Sequence, residues 1–210
     1  MASAERQSLL GNAPLSLTPA GEGAPAPEAG QPVLLLLGDT PEARALARLA
    51  AECGFAVDMA VWDEDAPPGA PEEAEAGAPE EAPPPEGIPG LRRHIRLLPG
   101  EGAVERCAVG RKHSICIFPE DEAAATRALE DVLASHAFYV GLWATRAERE
   151  RVWGALRGAG VPDAELAAVR CPLGLGDLAD IGGPVASAVP VLAELLAARA
   201  GARQRFRLED

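Results

Sequence analysis

Lysine is almost absent from this 210-residue chain: Lys112 is the only one, so arginine carries nearly all the positive charge. Aromatic residues make up only 4%, and much of the 48% hydrophobic content is alanine. No cluster of basic residues balances the formal net charge of −13, which excludes nucleic acid and an anionic membrane surface as expected partners. The longest apolar run is Val33–Leu37, far short of the roughly 20 residues of a membrane span, so no membrane association is expected. Residues 1–31 lack a basic stretch followed by an apolar one, the pattern of a secretory signal. Cys53, Cys107, Cys116 and Cys171 form no CxxC pair, and His94, His113 and His136 stand singly. These absences argue against a structural metal site and for reduced thiols in a cytoplasmic protein.

Glycine and proline are plentiful, 42 together, and unevenly spread. Residues 1–31 show little periodicity and read as a flexible tail, and residues 203–210 as a second tail. Residues 64–90 hold eight acids, eight prolines and no basic residue. Such a segment buries too little apolar surface to offset its ordering entropy, so it is expected to be a disordered, solvated insertion outside the core. It accounts for eight of the net negative charges and leaves −5 for the rest.

Between these segments the pattern alternates. Pro32–Gly38 (PVLLLLG) reads as a strand buried on both faces. Pro41–Cys53 reads as a helix with Thr40 as N-cap, and Phe55–Trp62 as the next strand; together they make a βαβ unit. Further strands are expected at Ile95–Leu98, His113–Phe118, Ala137–Leu142 and Val169–Cys171. Helices are expected at Glu120–Ser135, Arg146–Ala159, Asp163–Ala168 and Gly183–Ala200. The fold class is therefore α/β: a Rossmann-like, doubly wound, mainly parallel sheet of five or six strands with helices on both faces, forming one domain over residues 32–202.

In such a sheet the ligand crevice lies at the carboxyl ends of the strands. Four segments reach it. Gly38-Asp39-Thr40 opens the first helix where a dinucleotide fingerprint would read GxGxxG, but only the first glycine is present and Asp39 brings negative charge. Asp63 stands about 25 residues on, where an acid would meet ribose hydroxyls; it equally begins a solvated acidic run. Gly141 ends a strand that delivers Thr145 and Arg146. Thr145 suits a helix cap, while Arg146 opposes the helix dipole and is better explained by anion recognition. Cys171 and Gly174 belong to a Pro-Leu-Gly-Leu turn, where a thiol is either a soft ligand or, more commonly, a small buried hydrophobe. No catalytic triad or carboxylate pair stands out, and no metal ligands or catalytic residues are assigned.

In order and spacing these segments resemble the Rossmann domain of the XdhC/CoxI family, the xanthine dehydrogenase accessory factors. The likeness runs through LLLLGDTPEARALARLAAECGFAVDMAVWDED, the Tyr139–Arg146 turn similar to YIGxxGSR, the Leu156, Gly160 and Val161 helix end, Pro172–Leu175 similar to PIGL, Ile181-Gly182, and Ala193-Glu194. Phe118-Pro119-Glu120 stands where the family has Thr-His-Asp, and Ala144-Thr145 where it has Gly-Ser. The resemblance implies an accessory protein that helps hand molybdenum cofactor (molybdopterin) to a molybdenum hydroxylase client of the xanthine dehydrogenase or aldehyde oxidoreductase type. It implies no intrinsic dehydrogenase activity, with Arg146 suited to the pterin phosphate. Two other readings stay open: an NAD(P)-dependent oxidoreductase, and a Rossmann interaction module without ligand. A homodimer is expected through the helix carrying Val152, Trp153 and Leu156.

Overall fold

The structure, a computed structural model, describes residues 26–63, 88–174 and 182–208, with side chains to residue 201. Most of the N-terminal tail and of the acidic insertion therefore lies outside the described residues.

Five strands form one all-parallel sheet: β1 (Val33–Leu37), β2 (Ala56–Trp62), β3 (Leu91–Leu97), β4 (His113–Ile117) and β5 (Tyr139–Leu142). Their spatial order is β3-β2-β1-β4-β5, so the chain reverses direction across the sheet between β1 and β4. Placing β1 at the centre explains its sequence: all five of its side chains are at most 2% exposed. Burying each aliphatic side chain contributes about 1.5–3 kcal/mol.

Helices cover both faces, as expected. On one face α1 (Pro41–Glu52) and α6 (Pro184–Leu208) pack against Leu34, Leu36, Met59 and Cys116. On the other, α3 (Glu122–Leu133), α4 (Arg146–Gly158) and α5 (Asp163–Ala168) pack against Leu35, Leu37, Ile115 and Ile117. The one-turn α2 (Ala103–Arg106) joins this second layer. Four residues carry no helical period, so α2 has no signal in the sequence.

Several elements differ from the sequence reading. β3 begins at Leu91 rather than Ile95, because Arg92 and Arg93 turn onto Asp58 of β2 instead of pointing into water. Asp58 is 0% exposed, and the Arg93 Nη2 to Asp58 Oδ2 distance is 2.6 Å. The anticipated strand Val169–Cys171 contracts to one bridge, Arg170 beside Gly141, before the cis Cys171-Pro172 bond. α6 continues to Leu208, through residues read as a tail. Its stretch Pro184–Gly201 is long and apolar enough by length and composition to cross a membrane, which the short apolar runs had not suggested. Ala188, Val191 and Leu195 of that stretch are buried against the sheet, whereas Val185, Val189 and Leu196 are exposed. Trp153, 8% exposed, packs into the core together with Val152 and Leu156, so these residues offer no apolar surface to a second copy.

Candidate functional site

Parallel strands deliver their following loops to one edge, and here the loops after β4 and β5 open a cleft of 1180 Å³. Its walls are the first turns of α3 and α4, with Trp143, Pro172 and Leu173 between them. Local chemistry sets each wall. Asp121 caps α3, its carboxylate accepting the Ala124 N–H at 2.7 Å. Thr145 and Glu148 form a capping box on α4: Thr145 Oγ1 accepts the Glu148 N–H at 3.3 Å, and Glu148 Oε2 accepts the Thr145 N–H at 2.7 Å. Glu148 Oε2 also accepts the Thr145 hydroxyl at 2.8 Å, and the two bonds to this carboxylate, from the Thr145 backbone first and its hydroxyl second, hold the Glu148 carboxyl below its ordinary pKa. Glu122 is paired with Arg151 at 2.5 Å.

Two charged side chains of the lining remain. Arg146 and Glu120 are exposed and make no hydrogen bond or ion pair among the described residues. Arg146 sits in the first turn of α4, where it gains nothing from the helix dipole. Trp143 is half-buried and stacks on Phe118, with ring centroids 5.6 Å apart. The cleft thus combines a flat aromatic wall, one available cation and one available carboxylate. Glu120 and Trp143 were not among the candidates from the sequence. The sequence signal for Glu120 was its place in Phe118-Pro119-Glu120, the turn that departs from the family pattern.

The other candidates have local duties. Gly38 (φ 106°) ends β1 where a Cβ would lie 2.1 Å from the Phe118 carbonyl oxygen. The tips of β1 and β4 therefore touch through backbone at the turn glycine of the fingerprint, while Thr40 stands where the fingerprint has the glycine that lets a pyrophosphate approach. Thr40 Oγ1 accepts the Ala43 N–H at 3.2 Å as the α1 cap, and Asp39 holds Arg44 at 2.5 and 2.6 Å. Asp63 lies 3.2 Å from the Arg96 guanidinium. Gly141 admits Leu173, since a Cβ there would fall 2.3 Å from Leu173 Cδ2. Gly174 donates its N–H to Glu194 Oε2 at 3.1 Å, tying the turn to α6.

Burial pushes the Cys171 thiol up to about 12, as expected for a small buried hydrophobe. Cys171 instead lines a second cleft of 800 Å³ around the outer edge of β5. Of the nine candidates, only Thr145 and Arg146 line the larger cleft. None of the three histidines lines it, which leaves no imidazole base there. Among the described residues, no group of three or more His, Cys, Asp or Glu side chains is placed to hold a metal ion.

No curated protein matches the chain. A solved structure described as a xanthine dehydrogenase from Bacillus halodurans is similar in fold, with a TM-score of 0.60 at 17% identity. The match covers 81% of this chain and 43% of that one, so the present chain corresponds to less than half of its neighbour. The XdhC Rossmann domain family matches residues 34–195, from β1 to the middle of α6. With the strand order and the Tyr139–Arg146 and Pro172–Gly174 turns in place, the chain belongs to the XdhC Rossmann domain family.

Proposed function

We propose that the protein is an accessory factor for a molybdenum hydroxylase of the xanthine dehydrogenase or aldehyde oxidoreductase type, acting in the cytoplasm to pass molybdenum cofactor to its client. The cofactor is cargo, and the protein itself performs no dehydrogenation. The observation that carries this reading is Arg146: a guanidinium with no ion pair among the described residues, on the wall of a large cleft at the sheet's carboxyl edge, suited to a single phosphate. Trp143 beside it offers a face to a planar ring. Membership of the XdhC Rossmann domain family supports the same reading.

An NAD(P)-dependent oxidoreductase is less well supported. Its pyrophosphate would have to meet the backbone at Thr40, whose side chain caps α1, beside Asp39, which holds Arg44. The test is reconstitution: apo-hydroxylase is mixed with extracted molybdenum cofactor, with and without this protein, and recovered hydroxylase activity is measured. Recovery should rise with the native chain and fall back with Arg146→Ala. Unchanged recovery, together with no retention of cofactor on the protein, overturns the proposal.

A further inference from the structure

The outward face of α6 carries no charge from Pro184 to Ala200. This run holds two charged residues, Glu194 and Arg199, and both are drawn toward the body of the protein. Glu194 accepts the Gly174 N–H at 3.1 Å; Arg199 donates to the Lys112 carbonyl at 2.5 Å and stands over the Phe55 and Phe138 rings. Of the four large apolar residues exposed among the described residues, three lie on this helix: Val185 (51%), Val189 (53%) and Leu196 (42%). Ala193, Ala197 and Ala200 are exposed beside them. At ~100° per residue these six fall within about a third of the helix circumference, turned away from Ala188, Val191 and Leu195, which meet the sheet. A helix that faces water normally turns charge toward it, so this face is built to be covered.

Its charge pattern and its shape both fit a second copy of this chain. With a net charge of −13, two copies repel wherever charged faces meet, and an uncharged face is where they can approach. Size also runs along the helix: Val185 and Val189 stand toward its amino end, Ala197 and Ala200 farther toward its carboxyl end. Two α6 helices related by a twofold axis across the face run antiparallel, which sets the valines against the partner's alanines and brings Ala193 to the axis. A parallel arrangement would set valine on valine and hold the alanines apart. We propose that α6 is the face through which two copies of this chain pair, antiparallel about a twofold axis at Ala193. α6 lies on the opposite side of the sheet from α3 and α4, so pairing leaves the large cleft of each copy open. The face is about 25 Å long at ~1.5 Å per residue and ~10 Å wide. It is smaller than the ~800 Å² per partner of a lasting complex, so the dimer is weak and depends on concentration.

Sedimentation of the full chain from ~5 to ~500 µM should show monomer passing to dimer, the range suited to an interface below standard size. Val189→Glu should leave a monomer throughout. Val189→Glu with Ala197→Arg should recover the dimer, because antiparallel pairing puts each new acid beside the partner's new arginine. In a Cys53→Ser background, which removes the exposed native thiol, a short bifunctional maleimide should link copies through Ala193→Cys. Ala155→Cys, exposed on α4, should give no link. All of these sites are exposed, and circular dichroism checks that the variants fold. A native chain that stays monomeric across the range overturns the proposal; if that monomer sediments with phosphatidylcholine vesicles, the face belongs to a lipid surface instead. A dimer that survives Val189→Glu, that the double variant fails to restore, or that does not link through Ala193→Cys overturns it as well, since the copies then meet in another way.

Discussion

A methyl group on Gly38 would stand 2.1 Å from the carbonyl oxygen of Phe118, so the carboxyl tips of β1 and β4 touch through backbone. Phe118 is itself fixed by its N–H bond to the Leu37 carbonyl at 2.8 Å and is 1% exposed. Neither partner can retreat cheaply. Gly38 also has φ 106°, where a side chain is strained whatever the space. Gly38→Ala should therefore cost about 2–4 kcal/mol or prevent folding. A urea midpoint within 0.5 kcal/mol-equivalent of native would contradict the close approach, on the scale of about ±0.5 kcal/mol for neutral surface changes.

Asp58 gives a second test. It is 0% exposed and pairs with two arginines at once, Arg92 and Arg93, whose side chains are 12% and 17% exposed. Asp58→Asn keeps the shape and removes the charge, leaving two guanidiniums crowded beside the sheet. The expected loss is about 3–5 kcal/mol, read from chemical denaturation. Asp58→Asn with Arg93→Met should recover part of it, since one surplus charge goes too.

The α4 capping box is expected to matter less. Thr145→Ala removes the acceptor for the Glu148 N–H and should cost about 1 kcal/mol, in the range of N-cap losses. Circular dichroism melts would show it as a small shift without loss of cooperativity. Because Glu148 is held below its ordinary pKa by Thr145, the carboxylate half of the cap contributes above the unfolded carboxyl pKa near 4.5 and is lost as pH falls through the lower folded value. The gap between the native and Thr145→Ala proteins should narrow in that acid range without closing, because the Glu148 N–H bond to Thr145 Oγ1 does not titrate.

The thiols give a prediction at the other end of the scale. Burial pushes Cys107 and Cys171 up to about 12 and raises Cys116 as well, whereas Cys53 is exposed. Alkylation at pH 8 should label Cys53 within minutes and spare the other three until the protein unfolds. The raised values also fix the sign of the alkaline response. Stability from the protonated thiols is complete below their ordinary pKa of 9.0 and is lost as pH climbs from there toward about 12. A protein equally stable at pH 8 and pH 11 would contradict this.

The central strands and their helices were legible because their patterns are strong: VLLLL has one interpretation, and Thr40 and Thr145 precede helices they cap, whereas Asp121, read as lying inside its helix, proved to be the cap of α3. The edge was less so. LRRHIRL alternates poorly until Asp58 is known to draw both arginines to the sheet, a contact 34 and 35 residues away in sequence. Val169–Cys171 had the composition of a strand but only one residue to pair before the turn. At the site, sequence position could identify which residues reach the carboxyl edge, and it singled out Arg146. It read Thr40 as the α1 cap, but it could not show that Asp39 and Asp63 are occupied by Arg44 and Arg96, because those pairings are side-chain choices made on folding. Glu120 was passed over because, its place in the Phe118-Pro119-Glu120 turn aside, what distinguishes it is having no partner among the described residues.

The parallel pairing of β2 with β3 sets a mechanical requirement on the acidic stretch between them. A chain leaving Trp62 must return past the whole length of a seven-residue strand before Leu91 can pair in the same direction. At ~3.3 Å per residue that is roughly 23 Å, more than a tight turn can bridge. The sheet therefore places a floor under the length of this connection while leaving its composition to other pressures. Trimming it by half should leave the strand order intact, and cutting it to four residues should detach β3 and, with it, the neutralisation of Asp58.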